Sequence, residues 1–255
     1  MVSSSGGQGQ SRDTEWKERG IRSALSINLR ICAEKLAWRP YFHFDLHAGC
    51  GWNHRFDVVG SPLAFLEAAD ESGHPNPVAY FVEIDAARAA ELAARPELAR
   101  PDCFVHAGDN GAFCRGIPDL IRHHGDRPEM AMGSILIDPN GPTAGPYDII
   151  AEVLRQCPKL DVIYNFPGTG TKRLPDGHRR KIVITDIPEL FRKRFWLIRQ
   201  QIGAFQWSLL IGRNFRCNDY PSLGFHHWDS ARGQGVVEKL ATVAAAKNKN
   251  QGQLF

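Results

Sequence analysis

Acidic and amide side chains stand where five apolar segments of this sequence end. These ends read DLHAGCG, VEID, HAGDN, IDPNG and NFPGTG, at residues 45–51, 82–85, 106–110, 137–141 and 165–170. If the segments are parallel strands of one open sheet, their carboxyl ends meet at one edge, where such sheets bind ligands. The pattern therefore predicts a ligand site to which all five strand ends contribute.

The first two strand ends would suit a nucleoside that carries a charged amino-acid tail. Three small residues, Ala48, Gly49 and Gly51, would let a ligand approach the backbone closely. Asp45 could pair with the ligand's ammonium group, directly or through water. Glu83 could accept hydrogen bonds from two ribose hydroxyls, as the acidic residue of dinucleotide-binding folds does.

The third and fourth strand ends could complete such a site. Asp109 and Asn110 could read the exocyclic amine of adenine, and Asp138 would face the place where a transferred group is delivered. Taken singly, each of these features is also typical of an ordinary turn or helix cap. Their order at successive strand ends favours the cofactor interpretation.

Two other ligands fit the sequence less well. The pattern G-x-G-x-x-G of dinucleotide sites is absent because His54 stands where its third glycine would be, and residues 52–59 delay the first helix. A metal site on His43, Asp45 and His47 would need same-face side chains of one strand to converge, whereas such side chains diverge. We therefore predict no metal site and regard these histidines as incidental.

Helical segments alternate with the five strands and predict a doubly wound parallel sheet, an α/β fold. The predicted strands cover residues 41–48, 77–85, 102–109, 133–141 and 160–168, and the helices residues 20–37, 61–72, 86–99, 117–125 and 146–157. A basic helix over residues 188–203 and two strands, 205–212 and 223–230, should follow. Because the connection between these strands is short, we expect them to pair antiparallel or one edge strand to be reversed. This is the mostly parallel seven-stranded plan, with an antiparallel terminal strand, of the Rossmann-like methyltransferases.

Composition limits the class of protein. The chain has 255 residues, a formal charge of +3 and 43% hydrophobic residues, which is ordinary for a globular protein. We expect a disordered leader at residues 1–15, one domain at 16–240 and a flexible tail at 241–255. Six cysteines without a C-x-x-C pair predict free thiols rather than a structural zinc site. No signal peptide or long apolar run is evident, so we predict a cytoplasmic protein.

The run FDLHAGCGWNHRFDVVGSPLAFLEAA, residues 44–69, resembles the opening of the three-Cys-motif partner proteins, a group of class I methyltransferase-like proteins. The start GSPL of the first helix, at residues 60–63, matches that family closely, and the later strand ends fall at its acidic and D-P-x-G positions. The resemblance covers about residues 20–170. It implies binding of S-adenosylmethionine, with the cofactor held by Asp45, Ala48, Gly49, Gly51, Glu83, Asp109 and Asn110.

The turn at Asp138 resembles the [Asp/Asn/Ser]-Pro-Pro-aromatic motif of methyltransferases that act on base amines of DNA. In that motif a side-chain oxygen and the first proline's carbonyl hold the amine, and the ring stacks on the flipped base. Here Asn140 replaces the second proline and Gly141 replaces the ring. The resemblance implies that Asp138, Pro139 and Asn140 are catalytic and that the substrate is an adenine N6-type amine of DNA. Methyl transfer to a small molecule, RNA or protein, or a binding module without turnover, stays open.

Basic residues after the fifth strand suggest a nucleic-acid partner, although a solvated loop explains them equally well. The predicted phosphate contacts are Lys172, Arg173, Arg179 and Arg180. A second basic run at residues 192–199 could add to them, and Trp52, Phe166 and Trp196 could stack on bases. The ending QGQLF resembles peptides that dock on bacterial sliding clamps, which would use Gln251, Leu254 and Phe255.

Overall fold

A computed structural model describes residues 14–54, 57–139, 146–168, 182–200 and 207–251. The strands are β1 (Tyr41–Asp45), β2 (Trp52–Asn53), β3 (Val58–Val59), β4 (Pro77–Glu83), β5 (Cys103–Ala107), β6 (Met132–Ile137), β7 (Leu160–Phe166), β8 (Phe195–Arg199), β9 (Ser208–Arg213) and β10 (Phe225–His227). The helices are α1 (Thr14–Leu36), α2 (Ser61–Ser72), α3 (Ala86–Ala93), α4 (Asn110–His123), α5 (Tyr147–Gln156), α6 (Ile187–Phe191) and α7 (Ala231–Gln251).

The central sheet has the strand order β10-β8-β9-β7-β6-β1-β4-β5. The five predicted strands are present as β1, β4, β5, β6 and β7, and all their mutual pairings are parallel. β9 pairs antiparallel with both β7 and β8, and β10 pairs antiparallel with β8. The predicted mostly parallel α/β sheet is therefore confirmed, but it has eight strands and not seven. The predicted antiparallel pairing of the last two strands, β9 and β10, was wrong because β8 lies between them.

The extra strand comes from residues 188–203, for which the prediction of one basic helix was wrong. Helix α6 ends after Phe191, where Arg192 adopts a left-handed conformation with φ 51°. The apolar run Phe195–Arg199 then enters the sheet as β8 and is buried at every position but its first. The basic residues around this run hid its apolar pattern, because burial of a strand depends on neighbours that are distant in sequence.

Two hydrophobic cores cover the two faces of the sheet. Helices α1, α2 and α3 pack on one face, and α4, α5, α6 and α7 pack on the other. Alternation along β1 sends Phe42 and Phe44 into the second core and His43 toward the first. His43 stacks on Phe65 at 4.3 Å between ring centroids and shares a hydrogen bond with Ser134. Its burial lowers its pKa to about 3, so it is a neutral core residue.

Helix α2 begins at Ser61, as the sequence predicts. Gly60 is its N-cap residue, and Ser61 lies in the first turn. The predicted delay before this helix is a short β2–β3 hairpin. Because the Ser61 side chain does not cap the helix, its hydroxyl can turn toward the end of β1.

Helix α1 lies along the first face of the sheet, and its first turn reaches the carboxyl edge of the strands. There Trp16 accepts a hydrogen bond through its carbonyl oxygen from Arg199, at the end of β8, at 2.8 Å. At the other end of the chain, helix α7 extends through residues 241–251, so the first part of the predicted flexible tail has helical backbone. Within the described ranges, no helix has the length and apolar character needed to cross a membrane.

Candidate functional site

Asp45 closes β1 and organises the loop that follows it. Its Oδ1 accepts the backbone N–H of His47 at 3.0 Å, and its Oδ2 accepts the Ser61 hydroxyl at 2.6 Å. The side chain is fully buried, and this burial raises its pKa to about 7. A direct ion pair with a ligand ammonium does not fit a carboxyl group without exposed surface. Asp45 instead fixes the loop against α2.

The two glycines of this loop have different surroundings. Both adopt positive φ, 63° at Gly49 and 77° at Gly51, which favours glycine. A Cβ added to Gly49 would meet no atom within 4 Å, whereas one added to Gly51 would lie 2.8 Å from Leu92 Cδ1. Ala48 is buried and donates its N–H to the Val82 carbonyl at 2.9 Å. Gly49 therefore faces open space that a ligand could fill, and Gly51 serves close packing against α3.

Glu83 connects the first two strand ends. Its Oε2 accepts the N–H of Gly49 at 2.9 Å, and its Oε1 accepts the N–H of Asp85 at 2.9 Å. Only 8% of the residue is exposed. A carboxylate oxygen has more than one lone pair, so each oxygen can accept a further hydrogen bond from a ligand hydroxyl. The structure thus brings Glu83 and the open side of Gly49 together.

Asp109 and Asn110 mark the third strand end. Asp109 caps α4 through its Oδ1, which accepts the N–H of Ala112 at 2.7 Å, and its side chain is exposed. Asn110 Nδ2 lies 3.0 Å from His47 Nε2. His47 Nδ1 in turn accepts the backbone N–H of Asp138 at 3.3 Å. His47 therefore links the third and fourth strand ends, and its interpretation as incidental was wrong.

Asp138 follows β6 and binds side chains from two other elements, α1 and β7. Lys17 Nζ lies 2.6 Å from its Oδ2, and Asn165 Nδ2 donates to its Oδ1 at 2.8 Å. Burial acts to raise the pKa of Asp138, but the ammonium of Lys17 and the two hydrogen bonds outweigh it and lower the pKa below its ordinary value. Asp138 is therefore ionised at neutral pH.

Lys17 and Glu18 bring two further charges to this place. Lys17 Nζ also lies 3.3 Å from Glu18 Oε1. Burial opposes the charge of Lys17, but the carboxylates of Asp138 and Glu18 raise its pKa. Burial raises the pKa of Glu18 to about 7, and its Oε2 has no hydrogen-bond partner among the described residues. The Lys17 ammonium thus binds the Asp138 carboxylate, for which the sequence predicts contact with a target amine.

Sequence reasoning missed Lys17 and Glu18 as site residues. Lys17 stands 121 positions before Asp138, in a helix that precedes the first strand. The local sequence EWKERG has the pattern of any solvated helix start. Asn165 was recognisable only as one more amide at a strand end.

Several predicted functional residues lie outside the described residues. These are the nucleic-acid contacts Lys172, Arg173, Arg179 and Arg180, the catalytic residue Asn140, and Leu254 and Phe255 of the clamp-docking peptide. Pro139 is buried beside Asp138, and the side chain of Gln251 is not among those described.

The second basic run and the proposed stacking rings are mostly internal. Lys193 is buried and donates to the Pro158 carbonyl at 2.9 Å, on the edge of the sheet opposite the site. Arg199 is buried and holds Trp16. Phe166 and Trp196 are also buried, so neither ring is free to stack on a base. Of the three predicted stacking residues, Trp52 alone is partly exposed.

Comparisons with known proteins bear on the fold. No protein-family model matches the chain, and no curated protein matches it in sequence. Protein LPL1258 from Legionella pneumophila is similar in structure, with a TM-score of 0.52 and 13% identity over 88% of this chain and 91% of that one. Human methyltransferase-like protein 13, solved in complex with SAH, gives a TM-score of 0.44 with 14% identity over 90% of this chain and 91% of that one. The chain therefore shares the fold of protein LPL1258, an α/β fold with a mostly parallel central sheet.

Replacement of Lys17 tests the charge arrangement at this edge. Lys17→Met leaves the mostly buried Asp138 side chain without its cation, so we expect a loss of about 2 kcal/mol in the free energy of unfolding at about pH 7.5. Without Lys17, burial raises the pKa of Asp138 above its ordinary value. The carboxyl group then takes up a proton on acidification, and the loss should be smaller at about pH 4.5. Denaturant unfolding of both proteins at the two pH values measures this difference.

Lys35→Met, at an exposed position of the same helix, is the matched control and should cost little at either pH. A Lys17→Met effect that equals the control, or that does not change with pH, would contradict the assignment.

Proposed function

We propose that the carboxyl edge of the sheet binds S-adenosylmethionine and that the protein is a methyltransferase. The observation that carries this proposal is the juxtaposition of Glu83 with the open side of Gly49. A ligand backbone or amino-acid tail can lie against Gly49 because no protein atom fills the place of its missing side chain. An acidic residue suited to two ribose hydroxyls stands beside it.

The residues present fit this cofactor at several points. Glu83 would accept the ribose hydroxyls, and the exposed Asp109 with Asn110 would face the adenine. Gly49 would lie against the amino-acid tail, while Asp45 would act through the loop that it fixes. When bound, S-adenosylmethionine supplies an electrophilic methyl group on a sulfonium.

The acceptor would be held at Asp138. Its ionised carboxylate can accept a hydrogen bond from an amine N–H, and Asn165 fixes the orientation of the carboxylate. The backbone carbonyl of Pro139 would take a second N–H. This mechanism works mainly by positioning, because the amine's lone pair is the nucleophile and needs only to be aimed at the methyl group.

An acceptor amine must share Asp138 with Lys17 or displace it. Each carboxylate oxygen can accept more than one hydrogen bond, and the Asp138 side chain is 11% exposed, so sharing is sterically open. Displacement would move the first turn of α1 away from the strand ends. Either way, Lys17 limits the amines that can reach the site.

For the substrate we propose an adenine N6-type amine of DNA. The proposal rests on the resemblance of the turn at Asp138 to the amino-methyltransferase motif and on the basic sequence that includes Lys172 and Arg173. The missing ring at Gly141 and the occupation of Asp138 by Lys17 favour the second candidate, a methyltransferase-like binding module without turnover. Contact with a sliding clamp through the C-terminal residues, and membership of the three-Cys-motif partner proteins, stay predictions.

Calorimetry with S-adenosylmethionine tests the cofactor assignment. We expect saturable binding by the wild type and an affinity lower by at least about tenfold in Glu83→Ala, because two hydrogen bonds to a charged group are lost. Glu97→Ala, at an exposed position between α3 and β5, should bind as the wild type does. Equal affinities for both variants, or no binding by the wild type, would refute the assignment.

Transfer of tritium from labelled S-adenosylmethionine to unmethylated plasmid DNA tests the substrate. We expect label on DNA and a rate lower by at least about a hundredfold in Asp138→Ala, whereas Asp148→Ala, at an exposed position of α5, should be unaffected. Label on small molecules alone would refute the DNA substrate. Cofactor binding without any transfer would establish the binding module instead.

A further inference from the structure

Three potential metal ligands from three separate elements meet beside the glycine loop. Cys50 lies between the two glycines of that loop, His54 follows β2 in the hairpin, and Glu91 lies on α3. The Cys50 Sγ, a ring nitrogen of His54 and a carboxylate oxygen of Glu91 all lie within 4.8 Å of one another. The thiol is buried, while the His54 and Glu91 side chains are 67% and 46% exposed, so solvent reaches the point between them.

The present hydrogen bonds already orient these groups toward one another. His54 Nε2 lies 2.7 Å from Glu91 Oε1, and the hydrogen bond with His54 lowers the pKa of Glu91. The Cys50 thiol donates to the Trp52 carbonyl at 3.1 Å, which holds the sulfur on the loop side of the cluster.

A thiolate, an imidazole and a carboxylate are the three ligand types of zinc, whose ligand distances are about 2.0–2.3 Å. Calcium and magnesium prefer all-oxygen sites and would use only one of these groups. Zinc sites with three protein ligands keep a fourth position open to solvent. The exposed side of His54 and Glu91 provides such a position.

Arg95 is the positive charge closest to this cluster among the contacts of its members. Its Nη2 lies 3.8 Å from Glu91 Oε1, and its Nε donates to the Cys50 carbonyl at 2.8 Å. The guanidinium lies 5.9 Å from the ring centroid of Trp52. The two negative charges of the Cys50 thiolate and the Glu91 carboxylate would neutralise the two positive charges of zinc. Arg95 could then keep its hydrogen bond to the Cys50 carbonyl.

We propose that Cys50, His54 and Glu91 form a binding site for a zinc ion. On binding, the Cys50 thiol releases its proton to solvent, and His54 binds the metal through Nε2 as the neutral tautomer that carries its proton on Nδ1. The site ties the glycine loop to α3 and to the hairpin. It differs from the rejected strand site on His43, and it uses no C-x-x-C pair. The proposal does not depend on the proposed methyltransferase function.

Cobalt and zinc titrations of the full-length, tag-free protein test the site after removal of metals by a chelator. Cobalt serves as the probe because its bond to a thiolate absorbs in the near ultraviolet, whereas zinc is silent. We expect one equivalent of cobalt to produce this absorption and zinc to displace it. Cys50→Ser should abolish the absorption, and Glu91→Gln should weaken zinc binding by at least about tenfold.

Control variants at another cysteine and another glutamate separate loss of the metal site from a general effect of the substitution. Cys103→Ser changes another cysteine, and Glu97→Gln changes another exposed glutamate, so both should bind as the wild type does. Glu91 is on the surface, and Glu91→Gln should fold normally, which its melting temperature checks. Absence of a saturable cobalt signal in the wild type would overturn the proposal. So would wild-type zinc affinity in Glu91→Gln or an unchanged cobalt spectrum in Cys50→Ser.

Discussion

Carboxylates buried at one edge of a sheet have to find hydrogen-bond partners, and this requirement organises the carboxyl edge of this protein. An unpaired buried charge would cost several kcal/mol, so each acidic side chain binds two groups from neighbouring elements. Asp45 holds its own loop and α2, Glu83 joins the first two strand ends, and Asp138 joins α1 to β7. These bonds shape the edge before any ligand binds, which is the preorganisation that a binding site needs.

Charge balance at the same edge explains the placement of α1. Lys17 is the cation that contacts Asp138 and Glu18. The buried Asp45 is a third carboxyl group close enough to act on the charge of Glu18. Because the pKa values of Asp45 and Glu18 are raised to about 7, protonation relieves part of the negative charge at neutral pH. The first turn of α1 is thereby held over the strand ends, and it stands between solvent and the carboxylate proposed to orient the acceptor.

The sequence predicts which acidic residues lie at this edge. The carboxyl ends of parallel strands share one edge of a sheet, and this holds whichever residues their side chains bind. Asp45, Glu83, Asp109 and Asp138 are found at that edge for this reason. The specific partners were not predictable. Nothing local distinguishes the open side of Gly49 from the packed side of Gly51, since the difference lies in Leu92 of a later helix.

The errors have the same physical origin. The sequence predicts a helix at the position of β8 because charged residues flank this strand, although pairing with β9 and β10 buries its apolar centre. His47 was set aside because its partners, Asn110 and Asp138, lie on other strand ends. Contacts of this kind depend on the tertiary fold and leave no periodic signal in the chain.

Hydrogen–deuterium exchange with and without S-adenosylmethionine tests the central claim most directly, because it locates binding along the chain. The account predicts slower exchange in peptides that cover residues 45–51, 83–85 and 109–112. Peptides at the opposite edge, around residues 193–196, should exchange at unchanged rates. Unchanged exchange at the strand ends, or protection confined to other parts of the chain, would contradict the assignment of the carboxyl edge as the cofactor site.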